Sequence, residues 1–193
     1  NLTVGAITGR DYNVLLGSTG SEAVEMALHH ALFEWQKAID KMESKQYKLY
    51  ADKAGDLVRE AWDKNRKILS SAPIHVITLK NAFHGNTSGS RALLGNQEKR
   101  LLFQNMTGIK PIFIDDRSPD WKKQIEKSLK RTAIRIEKIG SVNGRLVKKK
   151  VDFDTVIAAI AEPIIGEGGV RIVDKKFLKH LSKFRFPLIM DEI

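Results

Sequence analysis

The chain has 193 residues, of which 42% are hydrophobic and 29% charged, and its formal net charge is +10. This composition is typical of a globular protein with a sizeable core and excludes a disordered or fibrous one. No apolar run is long enough to span a bilayer, and the absence of cysteine excludes disulfides and thiolate metal sites.

The positive charge raises the question of a nucleic-acid or anionic membrane partner. The basic residues are spread over helical stretches such as 122–131, however, so solvated helix faces explain them better. His29 and His30 are adjacent and would point to different sides of a helix. We therefore expect no nucleic acid, no membrane and no metal site, and a cytoplasmic protein.

The first elements that the sequence predicts are a strand over 12–16, a glycine-rich turn over 17–21 and then a helix. The free N–H groups and the dipole of a helix N-terminus favour an anion. The turn lacks the lysine of a nucleotide-hydrolase loop and the third glycine of a dinucleotide turn. It is therefore either a phosphate cradle or a helix start capped by Ser18, Thr19 or Ser21.

Apolar residues at helical spacing predict one helix from Val24 to Met42 and a second from Tyr50 to Leu69. The stretch 36–70 is dense in charge, so we expect a solvated helical elaboration there. Alternating residues over Ile74–Leu79 predict the next strand.

Lys110–Ile114 forms a further strand pattern. The helix predicted after Ser118 has the apolar stripe Trp121, Ile125, Leu129 and Ile136, and Gly140 ends it. The Asn143–Gly144 pair predicts an exposed hairpin or loop over 142–151.

The apolar run Val156–Ala161 is typical of a central parallel strand, and Glu162 follows it directly. A helix capped by Asp174 leads to a last strand that ends at Asp191. Alternating strands and helices predict a three-layer α/β fold, with helices on both faces of a mostly parallel sheet. Because the last strand has no turn after it, we expect the chain to be a fragment of a longer polypeptide.

The polar loop after Ile74–Leu79 contains Phe83 and His84. Phe83 either anchors the loop or presents its ring to a flat ligand. His84 has the chemistry of a general base, but no nucleophile lies near it in sequence.

Three segments resemble, in order and spacing, the class III (omega-amino acid) aminotransferases. They are Thr19–Glu25, Phe83–Thr87, and Glu162–Val170 followed by Leu188–Ile193. These are pyridoxal-phosphate enzymes of the aspartate aminotransferase fold (fold type I). The resemblance covers the middle of the family's large domain, so 1–193 is expected to be a partial large domain with an elaboration at about 36–70.

The resemblance implies pyridoxal 5'-phosphate as cofactor, with its phosphate at Gly20 and Ser21. Phe83 would stack on one face of the ring, and Ile193 would lie on the other. Asp191 matches the carboxylate that keeps the ring nitrogen protonated.

By the same resemblance, His84 lies at the cofactor and Glu162 orients it. Glu167 resembles the glutamate that pairs with an arginine and swings aside for the second substrate. The family's Schiff-base lysine would lie beyond Ile193, so the 193 residues alone should not transaminate. The family also implies a homodimer.

Three hypotheses follow. The first is an aminotransferase that moves an amino group between a primary amine or omega-amino acid and a 2-oxo acid. The second is a catalytically degenerate module that acts in binding or assembly. The third is nucleic-acid binding through the positive charge, which predicts steeply salt-dependent affinity.

Overall fold

The computed structural model describes residues 12–167 and 169–192. Its elements in chain order are α1 (Gly20–Ser71), β1 (Ile74–Leu79), α2 (Ser88–Ala92), α3 (Gln97–Thr107), β2 (Ile109–Ile114), α4 (Trp121–Thr132), β3 (Ile134–Val142), β4 (Arg145–Phe153), β5 (Val156–Ala161), β6 (Ile164–Ile165), β7 (Arg171–Ile172), α5 (Lys175–Leu181) and β8 (Leu188–Met190).

The main sheet has the order β2-β1-β5-β8, and all of its neighbouring strands are parallel. Every residue of β5 is buried, as its uncharged run predicted. Helices α4 and α5 cover one face of the sheet through Trp121, Ile125 and Phe177. Helix α1 covers the other face through Val24 and Leu28. The predicted three-layer α/β architecture is confirmed.

Helix α1 is 52 residues long but breaks at Ala54, where the backbone leaves the helical region (φ −158°, ψ 44°). The side chains of Glu43 and Arg66 form an ion pair across this break. Twenty-three residues of unbroken helix would separate them by about 35 Å, so the two halves fold back as a helical hairpin. Within the described ranges, no helix is both long and apolar enough to cross a membrane.

Strands β3 and β4 form an antiparallel hairpin around Asn143 and Gly144, whose φ angles are +50° and +76°. The predicted hairpin is therefore present, but it is longer than expected. The predicted helix up to Gly140 is wrong beyond Thr132, because Ile134 to Val142 pairs with β4 instead. A helical stripe is recognised from a short window of neighbouring residues, and β4, the pairing partner of β3, lies outside that window.

The helical hairpin covers the free edge of β3 with two buried side-chain amides. The Asn65 amide donates to the carbonyl of Glu137 (2.7 Å) and accepts from its N–H (2.8 Å). The Gln46 Oε1 atom accepts from the N–H of Ile139 (2.6 Å). Together with Trp62 and its apolar neighbours, these contacts join the helical hairpin and the β3–β4 hairpin into one unit, which we call the accessory unit.

The predicted strand over 12–16 is wrong. Residues 12–17 have no ladder partner within the described part of the chain, and the side chains of Leu15 and Leu16 are 72% and 91% exposed. An apolar pattern alone does not form a strand where no neighbouring strand supplies the hydrogen bonds.

Candidate active site

The loops after β1, β5 and β8 all leave from the same edge of the sheet, because these strands are parallel. Phe83 and His84 follow β1, Glu162 follows β5, and Asp191 follows β8. Hydrogen bonds link these loops to one another and to the first turn of α1. The predicted site residues Phe83, His84, Glu162 and Asp191 thus lie together, close to the first turn of α1.

The first turn of α1 is capped by Thr19, one of the three cap candidates. The Thr19 hydroxyl accepts from the N–H of Glu22 (3.2 Å), and the carboxylate of Glu22 accepts from the N–H of Ser18 (2.7 Å). The remaining N–H groups of the turn have no helical partner and carry the positive end of the dipole. Gly20, which begins the helix, is exposed.

Ser21 joins this turn to the loop after β1. Its Oγ accepts from the N–H of Asn86 (3.1 Å), and its carbonyl accepts from the Thr87 hydroxyl (3.3 Å). Gly85 sits between them at φ +110°, and a Cβ there would lie 2.0 Å from Ser21 Oγ. Only glycine allows this close approach.

Glu25 makes a second junction, which the sequence reasoning did not assign. Its Oε1 accepts from the N–H groups of Gly89 (2.5 Å) and Ser90 (3.3 Å) in the first turn of α2. The carboxylate therefore anchors α2 to α1 at the same edge of the sheet. Its place in the first segment of the family resemblance was the available signal.

His84 lies behind Asp191, with its side chain fully buried. The Nδ1 atom is 2.7 Å from Asp191 Oδ2, and the Nε2 atom is 3.1 Å from the Thr78 hydroxyl. Because a carboxylate only accepts, Nδ1 carries the proton and donates it to Asp191. Both ring nitrogens are thus engaged, and a general-base role for His84 toward a substrate has no geometric support.

Asp191 is 8% exposed. Its Oδ1 accepts no hydrogen bond within the described part of the chain, whereas Oδ2 is held by His84. The carboxylate is therefore oriented, with one oxygen left for a further donor.

Glu162 is 6% exposed and holds two loops. Its Oε2 accepts from the N–H of Phe83 (3.0 Å), and its Oε1 accepts from the N–H of Gly166 (3.3 Å). The first bond fixes the backbone from which the half-buried ring of Phe83 extends. Glu162 thus positions Phe83 by direct contact.

Glu167 is exposed in the turn between β6 and β7. Among the described residues, no hydrogen bond or ion pair joins it to the other predicted site residues. The turn is held instead by Arg171, whose guanidinium makes two bonds to Asp116 in the loop after β2 (2.6 and 2.7 Å). The hydrogen bond to Asp116 raises the pKa of Arg171. The sequence reasoning missed this pair, although Asp116 follows a strand at the same edge.

A cavity of about 370 Å³ lies between the first turns of α1 and the end of β8. It is lined by Gly20, Ala23, Val24, Ala27, Ile189, Met190, Asp191 and Glu192. Phe83 and Glu162 are not among its lining residues, and Ile193 lies outside the described residues. The cavity thus opens at once onto a helix N-terminus and onto Asp191.

A sequence model of the family described as aminotransferase class-III matches residues 2–193. The chain belongs to the class-III aminotransferases. This class-III chain is 28% identical over 134 residues to the mitochondrial acetylornithine aminotransferase of Debaryomyces hansenii, a match that covers 67% of the chain and 23% of that relative.

Two solved structures share the fold of this class-III chain. The ornithine aminotransferase of Toxoplasma gondii ME49 has a TM-score of 0.52 at 22% identity, over 98% of this chain and 33% of that one. An amine transaminase from an uncultivated Pseudomonas species, in its pyridoxal-phosphate-bound form, has a TM-score of 0.52 at 21% identity, over 98% and 36%. The class-III chain therefore spans about a quarter to a third of the length of these relatives.

Membership in class III brings pyridoxal 5'-phosphate as cofactor, and the described residues fit that group. It carries a phosphate dianion on one arm and a basic nitrogen in its ring. The cavity offers a helix N-terminus for the first and a carboxylate oxygen for the second. A positive helix terminus and a carboxylate thus line the same cavity, and their charges are complementary to the phosphate and to a protonated ring nitrogen.

Proposed function

We propose that the complete protein containing this chain is an aminotransferase that moves an amino group between a primary amine or omega-amino acid and a 2-oxo acid. The observation that carries the proposal is the cavity lined by the first turn of α1 and by Asp191, whose carboxylate is held from behind by His84. The relatives named for ornithine and acetylornithine support amine substrates of this class.

Pyridoxal phosphate, when bound, supplies an electron sink for negative charge that develops on the amine carbon. The chain's residues hold and orient it. Gly20 and Ser21 offer N–H and hydroxyl groups to the phosphate at the α1 N-terminus. Asp191 keeps a proton on the ring nitrogen through its free oxygen, and His84 fixes the angle of that carboxylate.

The remaining assignments concern the walls of the site. Phe83 would pack against the cofactor ring, with its backbone set by Glu162. The family resemblance assigns the other side of the ring to Ile193, which is outside the described residues. Glu167, in its exposed turn, acts toward the substrate through an arginine outside this chain.

We also propose that residues 1–193 form part of the large domain, with the helical elaboration at 36–70 as an addition to it. The complete protein is a homodimer and acts in the cytoplasm, although the Debaryomyces hansenii relative is named as mitochondrial. Sedimentation of the complete protein tests the first of these two statements, and cell fractionation tests the second.

The test uses the complete protein loaded with pyridoxal phosphate. Amino transfer from ornithine, acetylornithine and simple primary amines to 2-oxoglutarate is measured for the unchanged protein, Asp191→Ala and the exposed control Asp52→Ala. Asp191→Ala should abolish turnover with the fold intact, whereas the control should not. Near-normal turnover in Asp191→Ala would show that the assignment is wrong.

Borohydride reduction of the loaded protein, followed by intact mass, tests the degenerate-module alternative. A mass increase of one pyridoxyl phosphate on a lysine supports the enzyme. A complete protein that traps no cofactor would favour a role in binding or assembly.

A further inference from the structure

A second cavity, of about 460 Å³, lies at the opposite edge of the sheet, where the strands begin. Its lining residues are Pro73, His75, Lys110, Pro111, Ile112, Arg131, Thr132, Ala133 and Ile134. They come from the start of β1, β2 and β3 and from the end of α4. A strand of six residues is about 20 Å long, so β1 separates this cavity from the candidate active site.

Three basic residues line this cavity, and none of the acidic residues that the structure describes does. Neither Lys110 nor Arg131 has an ion-pair partner among the described residues. Burial is the first cause that lowers the pKa of His75. The nearby charges of Arg131 and Lys110 lower it further. The cavity is therefore a concentration of positive charge without a counter-charge, which favours an anion from solution.

His75 makes hydrogen bonds to the Thr155 hydroxyl and to the backbone of Pro73, and the bond to Pro73 raises the pKa of the ring. The Thr155 hydroxyl donates to the carbonyl of Thr132 (2.9 Å), so it accepts from His75 Nδ1 (2.8 Å). Nδ1 therefore carries a proton in this contact, and the ring is positively charged when Nε2 carries a second one. A bound anion would offset the repulsion from Lys110 and Arg131 and would favour this second proton.

We propose that this cavity binds a small dianion, a phosphate monoester or a dicarboxylate, through Lys110, Arg131 and His75. The guanidinium of Arg131 matches the planar oxygen pair of either group. Lys110 supplies a second charge, and Pro73, Pro111 and Ile112 provide an apolar wall for the organic part. The site is separate from the amino-transfer chemistry and does not depend on it.

The test uses sulfate as the probe, because its second ionisation lies far below neutral pH and its charge therefore stays constant while His75 is titrated. The complete protein, loaded with pyridoxal phosphate so that its other phosphate site is filled, is titrated by calorimetry at fixed ionic strength. The double variant Lys110→Gln/Arg131→Gln is compared with the control Lys99→Gln/Lys127→Gln, which removes the same charge at exposed positions. Inorganic phosphate and malonate are then compared to distinguish the two ligand sources.

Saturable sulfate binding should weaken at least about tenfold in the double variant and remain unchanged in the control. Sulfate should also raise the pKa of His75, followed by NMR of its ring. Equal binding in both double variants, no saturable binding, or an unaltered His75 titration would each overturn the proposal. The single variant Arg131→Gln, at an exposed position, repeats the test if the double variant does not fold.

Discussion

Replacement of His84 by phenylalanine tests whether Asp191 must be held at a fixed angle, because it leaves the carboxylate in place but removes the donor that orients it. The two rings are similar in size, and the His84 side chain is fully buried, so most of the packing is retained. The variant loses the 2.7 Å bond to Asp191 and the 3.1 Å bond to Thr78. Asp191 keeps its charge but loses the donor that fixes its angle.

The size of the effect follows from the bond that is lost. A hydrogen bond to a charged group contributes about 1.5–3 kcal/mol. At about 1.36 kcal/mol for each factor of ten, the expected decrease in kcat is about 10- to 150-fold. The KM of the amine should change little, because both ring nitrogens of His84 are engaged within the protein.

The assay measures kcat and KM of the complete, cofactor-loaded His84→Phe protein, together with its cofactor absorbance spectrum. Thr78→Val serves as control, because it removes only the bond behind the ring and should cost much less activity. A purely structural role predicts lower thermal stability in both variants with kcat unchanged. Turnover of His84→Phe at the level of the unchanged protein would refute the reasoning.

Four further changes test other parts of the structure. Asn65→Leu should lower the free energy of unfolding by about 2–5 kcal/mol in urea titrations, because two buried backbone groups of β3 lose their partners. Asp116→Asn removes the charge of a buried carboxylate from a partly exposed ion pair, should cost about 1–3 kcal/mol, and should speed proteolysis of the β6–β7 turn. Gly85→Ala should weaken cofactor binding, measured by absorbance titration, because its Cβ would overlap Ser21. Burial, and then nearby lysines, lower the pKa of His180. Its stabilising contribution is therefore complete above the unfolded pKa of about 6.5 and is lost as the pH falls. His180→Phe should reduce this acid limb, the decrease in melting temperature with falling pH, in thermal melts.

Each of these has its own control or contrary result. Asn105→Leu, at an exposed position, should leave the unfolding curve unchanged. The prediction for Asp116→Asn is contradicted if the β6–β7 turn is cleaved at the same rate as in the unchanged protein. Unaltered cofactor affinity in Gly85→Ala would contradict the close contact with Ser21. An acid limb that persists in His180→Phe would assign it to other groups.

The sequence predicted the parts of the fold that local pattern decides. The uncharged run of β5 identified the central strand, and the Asn143–Gly144 pair identified the hairpin. The segments around Glu162 and Asp191 followed from their place after strands, since parallel strands bring their carboxyl ends together. In these cases the relevant physics acts over a few residues.

Contacts between segments that are far apart in the chain could not be predicted from the sequence. Ile136 of β3 fits a helical stripe until its pairing with Val151 of β4 is known. Nothing in the sequence pairs Asn65 with Glu137, or Arg171 with Asp116, because hydrogen bonding between distant side chains leaves no periodic signal. The position of His84 behind Asp191 likewise depends on the parallel register of β1, β5 and β8.

The amide bonds that cover β3 make two distant stretches of sequence interdependent. The Asn65 side chain and the Glu137 backbone are 72 positions apart, yet each completes the other's hydrogen bonding. A shortened protein that loses the helical hairpin but keeps β3 and β4 would expose a bare strand edge, which is a template for association between molecules. The helical hairpin and the β3–β4 hairpin must therefore be removed, transplanted or exchanged as a pair.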